Sequence, residues 1–373
     1  MNRRALEKNN DAFQRRKEEM RGFLRLNVMR YERLSQKELS EDPKKQLINF
    51  KKTKDFLVAI DTDGCVSDNM NGKQMLIFHP HFMEFYNLWP IESYFREVAE
   101  YYNLFSVHRG CNRFIAIQLV LKSLQERMDV QERLSLLKVE LPDATLVESF
   151  IEYTKRNSLG LGNPSLEKFI NNENPTHLGL YKLLGWSEAV NRTFPHISAK
   201  IPPFDDVERC LKLMSQHADI IIVSQTPYTD LADYWEKYGL VEYVALIAGQ
   251  EMGTKAEHIQ MAKEVGSYRE DHILMIGDAM GDLKAIKANG GFFYPIVPGK
   301  ETESWKTFYE NFSDFLSGRY NEKRLLLEFE KALPSIPPWK EEHYSHIDSY
   351  RKHQKIRMEL YRKFNPNGRF LVI

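Results

Sequence analysis

Cysteine is scarce in this chain. Only Cys65, Cys111 and Cys210 occur in 373 residues, an odd number with no CxxC pair. That argues against a disulfide framework or a structural zinc site. Long apolar runs are missing as well: none reaches the ~18–20 residues that a membrane-spanning helix needs. Net charge is also missing. The 52 Lys and Arg residues balance 52 Asp and Glu residues, which argues against wholesale nucleic-acid binding or a polyanion-coating role. The first twenty residues, MNRRALEKNNDAFQRRKEEM, hold no apolar core of the signal-peptide kind. Neither an internal repeat nor a low-complexity tract is evident. The expectation is a soluble, cytoplasmic protein with no membrane partner and no nucleic-acid partner. Nothing in the sequence specifies its oligomeric state.

Hydrophobic residues make up 42% of the chain, ample for a globular core. Residues 1–54 read as a polar, basic helical extension, with Met20, Phe23, Leu24, Val28 and Met29 at roughly helical spacing. DFLVAI (55–60) reads as a short buried strand that ends in acids. The turn-rich stretch 61–89 follows, with Asn71–Gly72 as a hairpin signal. From about Pro90 to Phe194 the pattern is helical. After KIPPF the rhythm changes to strands alternating with helices: DIIIVS, YVALIAG, HILMIGD and GFFYPIV are the strands. That alternation predicts a parallel sheet with helical crossovers. The strand at 55–60 joins it, and the helical block becomes an insertion. The expected fold is α/β, a Rossmann-like parallel sheet core with an inserted all-helical cap. The expected units are an extension (1–54), a core (55–89 and 196–302), a cap (90–195) and a helical, basic tail (303–373) that packs back on the body.

In an open parallel sheet, ligands bind beyond the carboxyl ends of the strands. The first strand ends in Asp61-Thr62-Asp63-Gly64, with Asp68 close behind. The next ends in Ser224-Gln225-Thr226, and a later one in Gly277-Asp278, with Asp282 four residues on. Lys255 opens a helix between these last two. Four polar clusters therefore converge on one rim. A carboxylate can attack phosphorus and form an aspartyl phosphate. Crowded carboxylates call for a cation, and oxygen ligands favour Mg2+. A lysine and a hydroxyl can hold the transferring oxygens. Cys65, beside the acids, reads as a small packed residue.

At this point the chain resembles the haloacid dehalogenase-like hydrolase superfamily over roughly residues 55–300. Asp61, Asp63, Gly64 and Asp68 meet a D-x-D-G-x-x-x-D motif, Ser224 follows an apolar strand, Lys255 opens a helix, and Asp278 and Asp282 complete G-D-x-x-x-D. The resemblance implies Asp61 as nucleophile and Asp63 as the group that protonates the leaving oxygen and then activates water. It implies Mg2+ held by the Asp61 carboxylate, the Asp63 backbone carbonyl and Asp278, with Asp282 as an auxiliary ligand or the group that orients Lys255. Ser224 and Lys255 would hold the phosphoryl oxygens with help from the Thr62 N–H and Gln225. Asp68 would hydrogen-bond the flap turn.

A helical cap after the first motif fits the same resemblance and would close over a small substrate. Within it, SVHRGCNRF offers Arg109 and Arg113, suited to a second phosphate or carboxylate. His79 and His81 in FHPHF read as packing or rim residues. The chain departs from the family in its long N-terminal arm, its long insertion, and Gln225 where Asn often stands. The expected function is a Mg2+-dependent phosphatase of a small phosphorylated metabolite. The alternatives are a phosphomutase using the same residues and a non-catalytic binding protein on the same scaffold.

Overall fold

The computed structural model describes residues 31–198 and 200–364. The helical stripe expected at Met20–Met29 lies outside the described residues. Five strands form one sheet: β1 (Phe56–Ile60), β2 (Ala218–Val223), β3 (Leu246–Ala248), β4 (Ile273–Gly277) and β5 (Phe292–Pro295). Their spatial order is β3-β2-β1-β4-β5, and every pairing is parallel. The α/β fold class expected from the alternation is borne out. β2 and β4 are buried along their whole length. Continuous burial of that kind needs helices over both sheet faces, which explains why these strands read as unbroken apolar runs.

β1 is the central strand, and its register positions the rest. Ile60 pairs with Ile222 of β2 and with Ile276 of β4. Asp61 therefore emerges level with Val223 and Gly277, one residue short of Ser224 and Asp278. Parallel pairing sends all these strand ends to the same edge. The opposite edge carries a different acid. Asp219, near the start of β2, accepts from the backbone N–H groups of Thr53 (2.8 Å) and Lys54 (2.9 Å) and from the Tyr268 hydroxyl. That acid anchors the approach to β1 and stands away from the site.

Between β1 and β2 the chain builds a helical insertion. The hairpin expected at Asn71–Gly72 is replaced by helix: Asn69–Lys73 runs into a single wide turn, Gln74–Phe78, and then into His79–Tyr86. Asn-Gly favours a hairpin turn only when strands flank it. Here the flanking residues Met70, Met75, Ile77 and Phe78 are all buried, and their burial selects the helix. Helices Glu92–Leu104, Arg113–Glu126, Ala144–Arg156, Asn163–Glu173 and Leu178–Ser198 follow. They share a hydrophobic core of their own, from Ile77 to Val190, separate from the core around the sheet. Among the described residues, no helix is long and apolar enough to cross a membrane.

The C-terminal helices join the two cores. Trp305, Phe308, Phe312 and Phe315 of helix Glu301–Leu316, with Phe329 and Leu333, complete the sheet's core. Trp305 also donates from Nε1 to the Cys65 carbonyl at 2.8 Å, which ties this helix to the acid-rich loop. The chain then crosses to the insertion, where Trp339 packs. Helix His346–Phe364 lies along helix Glu92–Leu104. Its contacts repeat at helical spacing. His346 meets Glu97 at 2.8 Å, Tyr350 donates to Glu92 at 2.9 Å, His353 meets Glu100 at 2.8 Å, and Arg357 donates to Glu100. Arg127 adds a bond to Glu97 at 2.8 Å.

Burial alone would push the Glu97 carboxyl up. Bonds from His346, Tyr344, Ser349 and Arg127 outweigh that and bring it from 4.5 down to about 2. The folded value lies below the unfolded one, so this stabilisation is present above 4.5 and is lost as pH falls towards 2. Hydrogen exchange should show helix His346–Phe364 losing protection across that window, before the sheet does. Glu97→Gln should lower stability at neutral pH by about 3 kcal/mol in urea denaturation, because it strands buried cations. Unchanged protection of this helix through the window would refute its attachment by the acids.

Candidate active site

The site starts from the turn after β1. The Thr62 carbonyl accepts from the N–H groups of Val66 (2.9 Å) and Ser67 (3.2 Å), and the Gly64 N–H donates to Ser67 O at 2.8 Å. Trp235 pins the turn by donating from Nε1 to Thr62 Oγ1 at 3.1 Å. Gly64 has φ +82°, and a Cβ there would overlap Asp278 Oδ2 and Arg109 Nη2. Both its conformation and its surroundings require glycine. Asp68 is buried at the start of helix Asn69–Lys73 and accepts from Asn71 Nδ2 at 2.7 Å. Cys65 is fully buried, with its Sγ against the Ile276 carbonyl.

Asp61 and Asp63 stand two residues apart in different settings. Lys255 Nζ lies 3.0 Å from Asp61 Oδ1. Asp63 instead receives Lys73 Nζ at 2.8 Å and Thr226 Oγ1 at 3.0 Å, both on Oδ2. Burial acts to raise the Asp63 carboxyl, but the Lys73 charge and the bonds from Lys73, Thr226 and Asn69 overcome it and hold the group below its ordinary value. Burial pushes Asp61 the other way, well above the carboxylate range. Lys255 opposes that shift, while Asp282, Asp278 and Asp63 reinforce it.

Lys255 is placed by helix Lys255–Gly266, whose start is closed by a capping box. Thr254 accepts from the Glu257 N–H, and the Glu257 carboxylate accepts from the Thr254 N–H. Besides Asp61, Lys255 Nζ reaches Asp282 Oδ1 at 2.6 Å. Asp282 Oδ2 accepts from the N–H groups of Asp278 (3.2 Å) and Ala279 (3.1 Å). Both oxygens of Asp282 are thus engaged, and it holds Lys255 and the turn after β4 together. Gly277 permits this close approach, since a Cβ there would overlap the Asp282 side chain.

Asp278 has a partner from the insertion. Arg109 Nε donates to its Oδ2 at 2.6 Å, while Arg109 Nη1 donates to the Leu104 carbonyl at 3.0 Å. Arg109, expected at the substrate, is therefore buried against a core acid. Arg113 lines the same cavity but has different partners, with its Nη1 on Ser187 and Asn191. Ser224 is buried, and its Oγ accepts from the Thr226 N–H at 3.2 Å. Gln225 donates from Nε2 to the Gly253 carbonyl at 3.0 Å. Sequence reasoning missed Lys73 and Thr226 as partners of Asp63. Thr226 was visible beside Ser224 and Gln225. Lys73 carried no signal, because its reach depends on the helix that replaced the expected hairpin.

The donor set can be tested against a divalent cation. Asp61, Asp278 and Asp282 each offer a carboxylate oxygen, and these atoms lie within 4.8 Å of one another in a buried cluster. Lys255 and Arg109 leave one negative charge of the three uncompensated. Burial, opposed by Arg109 and reinforced by Asp282, also raises the Asp278 carboxyl above its ordinary value. Closely spaced oxygen donors with surplus negative charge fit a hard cation such as Mg2+. Asp61 and Asp278 are the direct candidates, since Asp282 has both oxygens committed.

The cluster opens into a cavity of about 1260 Å³ between sheet edge and insertion. Its wall includes Asp61, Asp63, Lys73, Ser224, Lys255 and Asp278 from the strand ends and adjoining helices. Arg109, Asn112 and Arg113 line it from the insertion.

No family model matches the chain, and no curated protein does. Solved structures similar to it include a putative haloacid dehalogenase-like hydrolase from Bacteroides fragilis, at 13% identity and TM-score 0.41, covering 67% of this chain and 93% of that one. A haloacid dehalogenase-like family hydrolase from Xanthomonas campestris matches at 11% identity and TM-score 0.38, covering 72% of this chain and 96% of that one. A putative beta-phosphoglucomutase from Thermotoga maritima matches at 13% identity and TM-score 0.31, covering 64% and 84%. Identity and overlap at these levels leave the chemistry to be argued from the residues of this chain.

Proposed function

We propose that the chain is a haloacid dehalogenase-like hydrolase: a Mg2+-dependent phosphatase that acts on a small phosphorylated metabolite through an aspartyl phosphate on Asp61. The observation that carries this reading is the split between two carboxylates of one turn. Asp61 contacts Lys255 at 3.0 Å, while Asp63 has its own cation, Lys73, at 2.8 Å. Burial raises Asp61 and Lys73 holds Asp63 low, so the two tasks require a cation to ionise Asp61 and substrate binding to protonate Asp63.

Asp61 attacks phosphorus. An Asp61 Oδ–P bond forms as the ester P–O bond breaks, and Asp63, which takes up a proton from solvent on substrate binding against the pull of Lys73, gives it to the departing alkoxide. Water then attacks the aspartyl phosphate and loses its proton to Asp63. The Oδ–P bond breaks, and inorganic phosphate leaves. Lys255, held by Asp282, and the Ser224 hydroxyl neutralise and bind the phosphoryl oxygens. Thr62 N–H adds a donor from the turn. Mg2+, held by Asp61, the Asp63 carbonyl and Asp278, would supply charge neutralisation and keep Asp61 ionised at neutral pH. Thr226 and Lys73 fix the orientation of Asp63.

Para-nitrophenyl phosphate should be hydrolysed with added Mg2+ and not after chelation. Asp61→Asn should lower kcat by at least ~1000-fold. Equal activity in that variant would remove Asp61 as nucleophile, and no activity in the unmodified protein would favour a binding protein on this scaffold. Phosphate release from a phosphosugar, rather than isomerisation without release, separates the phosphatase from a phosphomutase.

Asp63→Asn should still be phosphorylated by para-nitrophenyl phosphate, since nitrophenolate leaves without a proton. A burst of about one equivalent of nitrophenolate should precede turnover slowed by ~100- to 10,000-fold. Linear kinetics from the start, at the reduced rate, would count against Asp63 as the water-activating base.

A separate measurement reads the cation. Mg2+ should raise the melting temperature of the unmodified protein through preferential binding to the folded state. Asp278→Asn should abolish that rise. A rise that survives in this variant would move the cation site elsewhere.

A further inference from the structure

The two arginines of SVHRGCNRF line one cavity but differ in their partners. Arg109 is neutralised by Asp278 at 2.6 Å. Arg113 has no carboxylate partner among the described residues. Its Nη1 donates to the Ser187 carbonyl (3.1 Å), to Ser187 Oγ (2.9 Å) and to Asn191 Oδ1 (2.8 Å). All three acceptors are neutral. The guanidinium lies over the Phe78 ring, with Cζ 4.9 Å from its centroid. Burial without an anion pushes Arg113 down from 12.5 to about 10.

A desolvated cation with only neutral partners is costly, and it is relieved when an anion arrives. The surroundings favour that arrival. Between Phe78 and Pro195, the part of the cavity wall supplied by the insertion includes no Asp or Glu. The neighbours are the amides Asn112, Asn163 and Asn191. The volume of about 1260 Å³ exceeds what a two-carbon phosphoester would fill.

We propose that Arg113 binds a second anionic group of the substrate, a phosphate or a carboxylate, so that the preferred substrate is a phosphoester with two anionic groups. This rests on the phosphatase reading for the first group, which sits at Asp61. Arg113 supplies a fork of donors from the insertion, and the amides around it complete a polar, uncharged rim. The competing role is purely structural. Through Ser187 and Asn191, Arg113 also ties helix Arg113–Glu126 to helix Leu178–Ser198.

The test is calorimetric titration of Asp61→Asn protein, which leaves the esters intact. The ligands are a hexose 6-phosphate, a hexose 1,6-bisphosphate and 6-phosphogluconate. One of the last two should bind about 10- to 100-fold more tightly than the monophosphate, as a charged hydrogen-bonded pair provides. Which one gains identifies the anion. Adding Arg113→Gln should close the gap, and Arg113→Lys should restore part of it. Equal affinities for all three ligands, or a gap that Arg113→Gln leaves in place, would overturn the subsite. A tie between helices alone would lower the melting temperature of Arg113→Gln without changing the gap. Phosphate release by the unmodified protein is read separately. Its absence with all three esters would overturn the phosphatase reading, while the titration still decides the subsite.

Discussion

The site depends on Lys255 standing between Asp61 and Asp282. Three buried carboxylates within 4.8 Å of one another would repel strongly in a low-dielectric setting. One ammonium bridges two of them, at 3.0 Å and 2.6 Å. That contact requires the capped helix start that presents Lys255, the turn after β4 that presents Asp282, and the strand end that presents Asp61. The parallel register brings the three ends level. The fold therefore serves the charge cluster, and the cluster in turn fixes three separate loops against one another.

The insertion is coupled to this cluster from two directions. Arg109 reaches Asp278 from the loop before helix Arg113–Glu126, and it is itself held by the Leu104 carbonyl. The C-terminal chain passes close by: the Val107 N–H donates to the Pro334 carbonyl at 3.3 Å, and the Tyr101 hydroxyl donates to the same oxygen at 3.1 Å. Beyond that point, helix His346–Phe364 fastens to Glu92, Glu97 and Glu100. The tail thus runs from the sheet's core at Leu333 to the outer helices of the insertion. Those acids account for His346, Tyr350, His353 and Arg357 of the helix, while Arg351, Lys352 and Lys355 are exposed.

Much of this was legible in the sequence, and the reason is physical. Asp61, Ser224 and Asp278 each follow an unbroken apolar run, and a parallel sheet must place the ends of such runs on one edge. Lys255 was legible because it opens a helix between two of those runs, a start that the Thr254–Glu257 capping box closes in the structure. Lys73 carried no signal, and Arg109 read as a substrate contact rather than as the partner of Asp278. Lys73 reaches Asp63 because 69–73 is helical, and the Asn71–Gly72 pair pointed to a turn instead. The helix was selected by burial of Met70 and Met75 against Leu104 and Leu360, residues far away in the chain. Arg109 and Asp278 are 169 positions apart, and no local pattern links them.

The same long-range logic separates residues that motif reading treats alike. Asp282 and Asp278 share one motif, yet only Asp278 keeps an oxygen uncommitted by protein donors, since Asp282 spends both on Lys255 and two backbone N–H groups. Arg109 and Arg113 share one short segment, yet one is neutralised and the other is not. In each pair the difference comes from what the rest of the fold delivers to the side chain. Charge balance around a residue, counted over every element that reaches it, distinguishes a group that holds the site together from one that still has an interaction to make.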